Sequence, residues 1–168
     1  MEKRLKKRTI IVGSIFAIVL IIAIITAVAI NRQANHKTGQ TIIQNPGYTT
    51  ILPTGKSIVQ LGGWVRVSPT GSDPVYAYAD TVSGVPISVS QQPLPASFKN
   101  NSDSKVAELA KSYNATATIT IGDTTVYIGT SAKGPQSVIF TKSNLLILIK
   151  SEKKIENAAW STYAASLQ

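Results

Sequence analysis

Between Thr9 and Ile30 stand 22 residues, TIIVGSIFAIVLIIAIITAVAI, with no charge, Pro, Asn or Gln among them. A helix rises ~1.5 Å per residue, so the run extends ~33 Å, against a hydrocarbon core of about 30 Å. Its Ile, Val and Thr residues weaken a helix in water. In lipid the backbone must pair its own N–H and C=O groups, and a single spanning segment does so only as a helix. Residues 9–30 are therefore expected to form a transmembrane helix with the lipid bilayer as its partner.

The flanks set the orientation. Lys3, Arg4, Lys6, Lys7 and Arg8 precede the run with one acid, Glu2, while only Arg32 and Lys37 follow closely. Basic flanks stay in the cytoplasm. The expected topology is a single-pass signal-anchor at the cell membrane, with residues 1–8 a cytoplasmic basic stub and the remainder extracytoplasmic. Ala27-Val28-Ala29 also meets the small-x-small rule for cleavage after Ala29, but the run exceeds the ~7–15 apolar residues of a usual signal peptide. The chain has no cysteine, which removes a lipobox, disulfides and thiolate chemistry. An exported core without disulfides stands on apolar burial.

The net charge of +9 does not imply nucleic acid. The stub supplies five basic residues and one acid, or +4, and from Tyr48 onward ten basic residues face seven acids, or +3. Those lysines are scattered, with no basic stripe interleaved with aromatics. The stub's natural counter-charge is the anionic inner leaflet.

Residues 31–47 are polar and aperiodic and read as a flexible linker; a coil of that length spans ~20–25 Å. Residues 48–168 read as one α+β domain of short strands and two helices. Ser57–Leu61 and Trp64–Ser68 flank Gly62-Gly63, a hairpin or bulge signal. Val75–Val82 leads through Ser83-Gly84 to Pro86–Gln91, which the prolines at 93 and 95 end. Asp103 suits the N-cap of a helix reaching Tyr113, with Val106, Leu109, Ala110 and Tyr113 at helical spacing. Thr116–Ile121 and Thr124–Gly129 are joined by Gly122-Asp123, and Ser137–Lys142 and Leu145–Lys150 by Ser143-Asn144, after a turn at Lys133-Gly134-Pro135. Leu145–Ile149 is apolar on both faces, as a covered central strand would be. A closing helix is predicted over Lys153–Leu167, capped by Ser151, with Ile155, Ala159, Tyr163 and Leu167 on one stripe. The expected architecture is a mostly antiparallel sheet with both helices on one side.

Little in the domain suggests catalysis or a cofactor. The only histidine, His36, lies in the linker, and the acids are dispersed, so neither a general base nor a metal cluster is expected. Ser102-x-x-Lys105, Ser112-x-Asn114 and Lys37-Thr38-Gly39 imitate the motifs of serine β-lactamases, but in the wrong order and spacing. Leu52-Pro53-Thr54-Gly55 lacks a residue of a sortase signal. Arg8 and Gly13 stand where a prepilin needs Gly and Glu. Asn100-Asn101-Ser102 and Asn114-Ala115-Thr116 match glycosylation acceptors, relevant only in a eukaryotic secretory setting.

One candidate surface emerges from strand alternation. Trp64 and Arg66 oppose Val65 and Val67, while Tyr76, Tyr78 and Asp80 oppose Val75, Ala77 and Ala79. With the valines inward, Trp64, Arg66, Tyr76 and Tyr78 would offer an indole, a guanidinium and two phenols to a sugar or a protein hot spot. The alternative is that these aromatics pack beneath a helix.

The basic stub, the single helix and the series G-x-x-V-Y-I-G, V-I-F-T-K-S-N-L-L-I-L-I and A-W-x-x-Y-x-x-S-L resemble small single-pass membrane proteins of ultrasmall, host-dependent bacteria. The ending from Thr124 to Gln168 is also similar to the extracytoplasmic domain of some anti-sigma factors and sporulation-associated lipoproteins, in which a hairpin-rich sheet closes with a helix. An anti-sigma factor needs a cytoplasmic sigma-binding segment, which eight residues do not supply. Neither likeness carries a catalytic residue. The resulting expectation is a tethered, non-enzymatic module that binds an envelope protein or a wall or surface glycan. The alternative is a domain holding a small apolar or lipid ligand between sheet and helix, as an envelope chaperone or sensor subunit.

Overall fold

The computed structural model describes residues 42–98, 100–131 and 134–168. The expected stub, the transmembrane run, most of the linker and His36 lie outside these described residues. Within them, eight strands form one sheet: β1 (Ile42–Ile43), β2 (Trp64–Arg66), β3 (Tyr76–Val82), β4 (Val85–Pro93), β5 (Ala117–Ile121), β6 (Thr124–Ser131), β7 (Gly134–Lys142) and β8 (Leu145–Ser151). A 3-10 turn at Ala96–Phe98 and helix α1 (Ser102–Ser112) connect β4 to β5, and helix α2 (Asn157–Ser166) follows β8. The spatial order is β1-β2-β3-β4-β8-β7-β6-β5, and every pair is antiparallel. The domain is α+β, as the alternation of the sequence predicts.

The tight hairpins follow turn chemistry. Ser83-Gly84 has φ of 50° and 76°, and Ser143-Asn144 has 52° and 60°. Two successive left-handed residues match the right-handed twist of the flanking strands. Gly122, at φ 55°, opens the β5–β6 turn.

β8 lies at the centre, between β4 and β7. Leu145, Ile147 and Ile149 join one buried cluster with Trp64, Tyr78, Val89, Val126, Val138 and Phe140, beneath Trp160, Tyr163 and Ala164 of α2. Leu146 and Leu148 join another with Val65, Val75, Ala77 and Ile139, beneath Val106 and Leu109 of α1, with Phe98 and Tyr113. The helices therefore cover opposite faces, which corrects the one-sided arrangement expected above. The cause is β8 itself: a strand apolar at every position buries both faces only if each has a cover.

The α2 face is concave. Backbone of α2 comes close to β5 and to β3, flanks separated by four intervening strands. In a flat sheet those flanks would lie ~24 Å apart, whereas a helix of ten residues spans only ~15 Å. Twist and curl bring both flanks up to the helix.

The chain ahead of β2 closes this concave side. Ser57–Leu61, expected as a strand, is instead one helical turn. Ser57 N–H donates to Gln60 Oε1 at 2.8 Å and Gln60 N–H lies 3.4 Å from Ser57 Oγ, a reciprocal capping box. Gly63 N–H to Ile58 O at 2.8 Å and Gly62 N–H to Val59 O at 3.1 Å end the turn, with Gly62 at φ 82°. Upstream, Leu52 and Gln168 exchange both backbone hydrogen bonds at 2.9 Å, and Thr54 N–H donates to Ser166 O at 2.8 Å.

The helix ends also depart from expectation. α2 begins at Asn157 rather than Lys153, because Ser151 Oγ donates to Lys153 O at 2.7 Å instead of capping, Gln136 binds the Ile155 backbone, and Glu156 is extended. α1 starts at Ser102 with Asn101 in the cap position, two residues before Asp103. Gly134 and Pro135, expected in a turn, already belong to β7. The end of α1 sits directly on β6 at Gly129, where a Cβ would collide with the Tyr113 carbonyl oxygen.

Candidate functional site

Trp64 and Tyr78 do share a face, but each is only 1% exposed. Their rings meet edge-on, with centroids 5.0 Å apart and planes at 81°. Tyr76 is half-buried against Tyr48, 5.7 Å between centroids. Arg66 is exposed and ties down its own loop, donating from Nη2 to Ser72 O at 2.8 Å and Pro69 O at 3.2 Å, and from Nε to Ser68 Oγ at 3.2 Å. The shared exposed surface anticipated for these four residues is therefore not formed. α2 and the segment ahead of β2 cover the aromatics, and Arg66 is directed elsewhere.

On the same face the structure assembles a polar cluster around Asp80, whose side chain is 4% exposed. Its Oδ1 accepts from Lys56 Nζ at 2.5 Å and from Thr81 N–H at 2.7 Å, while Oδ2 accepts from the Tyr163 hydroxyl at 3.0 Å. The Tyr78 hydroxyl lies 3.5 Å from that of Tyr163. The Lys56 side chain remains 40% exposed, so the pair sits at the rim of the core. A carboxylate already supplied with three donors is poorly placed to take a proton from a substrate. The cluster clasps the turn at Lys56, strand β3 and helix α2 together.

The phenols reinforce this. Burial pushes Tyr163 far above the ordinary phenol range, with Tyr78 and Asp80 adding to the shift. Burial likewise raises Tyr78, Tyr48 and Tyr113. A phenol that keeps its proton is neither a base nor a nucleophile. Because the folded pKa exceeds the unfolded one, the native state holds these protons longer. The stability they contribute is intact below about pH 10 and is lost as pH rises beyond it. In an alkaline titration, the phenolate absorbance of these four tyrosines is expected to rise in one step with the loss of far-UV circular dichroism. Their gradual ionisation in a still-folded domain would contradict the buried geometry.

Two glutamines that alternation alone does not single out organise the core. Gln91, fully buried on β4, receives Ile51 N–H on Oε1 at 3.0 Å and donates Nε2 to Ile51 O at 2.6 Å. Gln136, buried on β7, does the same for Ile155: it accepts from Ile155 N–H at 2.6 Å and donates to Ile155 O at 3.1 Å. Gln136 Oε1 also accepts Trp160 Nε1–H at 3.1 Å. Each amide replaces a missing strand neighbour for the N–H and C=O of one residue. On the α1 face, by contrast, the Ser90, Ser137 and Tyr113 hydroxyls are buried without a partner.

Among the described residues, no group of three or more His, Asp or Glu is arranged to hold a metal ion, and no helix is long and apolar enough to cross a membrane. The arrangement defines an α+β domain in which Asp80, Gln91 and Gln136 bond side chains or backbone of other elements. No family model, curated protein or solved structure matches the chain.

Proposed function

We propose that the protein is a signal-anchored envelope module whose extracytoplasmic domain binds another protein or a wall or surface glycan and catalyses no reaction. The observation that supports this reading over a ligand carrier is the filled concave side of the sheet. Trp64, Trp160, Phe140, Ile147 and Leu167, all at most 1% exposed, occupy the space where an apolar or lipid ligand would sit. Ligand sites of that kind are roomy hollows. The anchor rests on the Thr9–Ile30 run and its basic lead-in, which together favour insertion with the N-terminus inside.

The topology is tested with an epitope placed after Gln168. The chain is expected to stay in the membrane through carbonate washing, and external protease is expected to remove the epitope from intact spheroplasts. An epitope protected until lysis would overturn the topology. Crosslinking in native membranes tests the partner: adducts with another protein or glycan are expected, and recovery of the chain alone would overturn the binding reading.

A further inference from the structure

The two edges of the sheet differ. β1, at one edge, has two described residues, whereas β5, at the other, has five, Ala117-Thr118-Ile119-Thr120-Ile121. Exposed edges are usually blunted by charge, proline, a bulge or brevity. β5 has neither charge nor proline, and its register with β6 runs unbroken from Ala117↔Ile128 to Ile121↔Thr124. Every residue in it except Ala117 is β-branched, so its propensity for the extended state is high. Nothing in the strand resists a further neighbour.

The hairpin turn decides which backbone groups are open. Gly122-Asp123 is a two-residue turn, so Ile121 and Thr124 form the bonded pair beside it, and bonding then alternates. Ile119 and Ile121 bond inward to β6. Thr118 and Thr120 direct their N–H and C=O groups outward, and both side chains are exposed. Ile119 and Ile121 lie half-buried on the α2 face.

This edge is its own complement. A two-fold axis beside Ile119, midway between the two strands and perpendicular to the sheet, brings Thr118 opposite Thr120 of a second copy, and Thr120 opposite its Thr118. All four outward groups of each strand then find partners. Ile119 faces its own counterpart on the α2 side, and Ala117 faces Ile121. Threonine pairs and β-branched pairs are favourable across strands. A slip of one residue would set outward groups against inward ones and exchange the faces. We propose that two copies of the chain pair antiparallel through β5, joining their sheets edge to edge about Ile119. This goes beyond the partner reading and does not depend on it. Self-adducts alone in native membranes would defeat that reading and leave this one standing.

The absence of cysteine from the chain provides a clean test. Ile119 occupies a non-bonded pair across the proposed axis, where Cα atoms approach to ~4.5 Å, within disulfide reach. In the purified full-length chain in detergent, Ile119→Cys is expected to give a covalent dimer under mild oxidation. Val59→Cys, at a residue 70% exposed and outside β5, is expected to stay monomeric. Adding Thr118→Lys and Thr120→Lys sets like charges opposite one another and is expected to cut the Ile119→Cys dimer yield about tenfold. Hydrogen exchange on the unaltered chain guards against misfolded variants: the Thr118 and Thr120 amides should gain protection as concentration rises. Equal crosslinking at 119 and 59 would overturn the proposal. So would a monomer at every concentration, or concentration-independent protection of those two amides, which would mean another segment of the same chain lies on the edge.

Discussion

Replacing Gln136 by leucine is expected to lower the stability of the domain by about 4 kcal/mol, read as a shift in the denaturant midpoint at unchanged slope. The two side chains have similar volume, so the loss is not one of packing. It comes from three groups left without partners: the Ile155 N–H, the Ile155 C=O and the Trp160 indole N–H. Each buried orphan costs about 1–3 kcal/mol, and the sum is limited because the segment ahead of α2 can lift off and reach water. Against a total of about 5–15 kcal/mol, such a loss brings the domain near the edge of folding. Gln136→Glu separates hydrogen bonding from shape. A carboxylate still accepts from both N–H groups but opposes the Ile155 carbonyl, whereas the protonated acid restores a donor. Burial holds its folded pKa above the unfolded value near ~4.3, so the native state binds the extra proton between the two. Stability of this variant should therefore be greatest below that window and fall as pH rises through it. Equal deficits relative to the parent at pH 4 and pH 7 would show that the amide is not the clamp the geometry describes.

Strands β2 to β8 are legible because alternation and turn chemistry are local, whereas β1 (Ile42–Ile43) falls in the stretch expected as a flexible linker. Leu145–Ile149 is apolar at each position and pairs on both sides, and Ser143-Asn144 turns where a left-handed pair is needed. The two apolar faces of that strand demand two covers, but helix periodicity does not say which face a helix takes, and the one-sided arrangement expected from the sequence is overturned. Ser57 to Gly63 shows a competition between signals. Its apolar residues suit a strand, but Ser-x-x-Gln followed by two glycines satisfies both ends of a helical turn, and local hydrogen bonding prevailed. Alternation puts Trp64 and Tyr78 on one face, and there they meet edge-on. Whether that face is wet depends on residues 48–63 and 157–166, whose docking is non-local. Gln91 and Gln136 carried a weak signal. Each has the parity of core residues, Gln91 with Ile87 and Val89 and Gln136 with Val138 and Phe140, and a polar side chain at such a position needs a buried partner. Those partners lie 40 and 19 residues away. The Asp80 cluster spans a still longer separation, 83 residues to Tyr163.

Trp160→Ala is expected to cost about 4 kcal/mol, equivalent to a fall of about 15 °C in Tm. Trp160 is fully buried at the heart of the concave side, and its removal leaves a dry space of indole shape with the Gln136 amide at its wall. Trp160→Phe, which retains most of the apolar contact and loses the N–H, should cost roughly half as much. The same variant probes function. A cavity of this kind accepts small apolar molecules, and bound ligand raises Tm by mass action, ~2.7 kcal/mol at a hundredfold excess over Kd. Indole should therefore stabilise Trp160→Ala and leave the parent chain unmoved, because in the parent the site is occupied by the protein's own side chain. If indole or short-chain fatty acids raise the Tm of the parent by the same amount, the concave side has room that its packing does not indicate. The domain would then be a carrier of apolar ligands, and its surface would lose its claim as the working part.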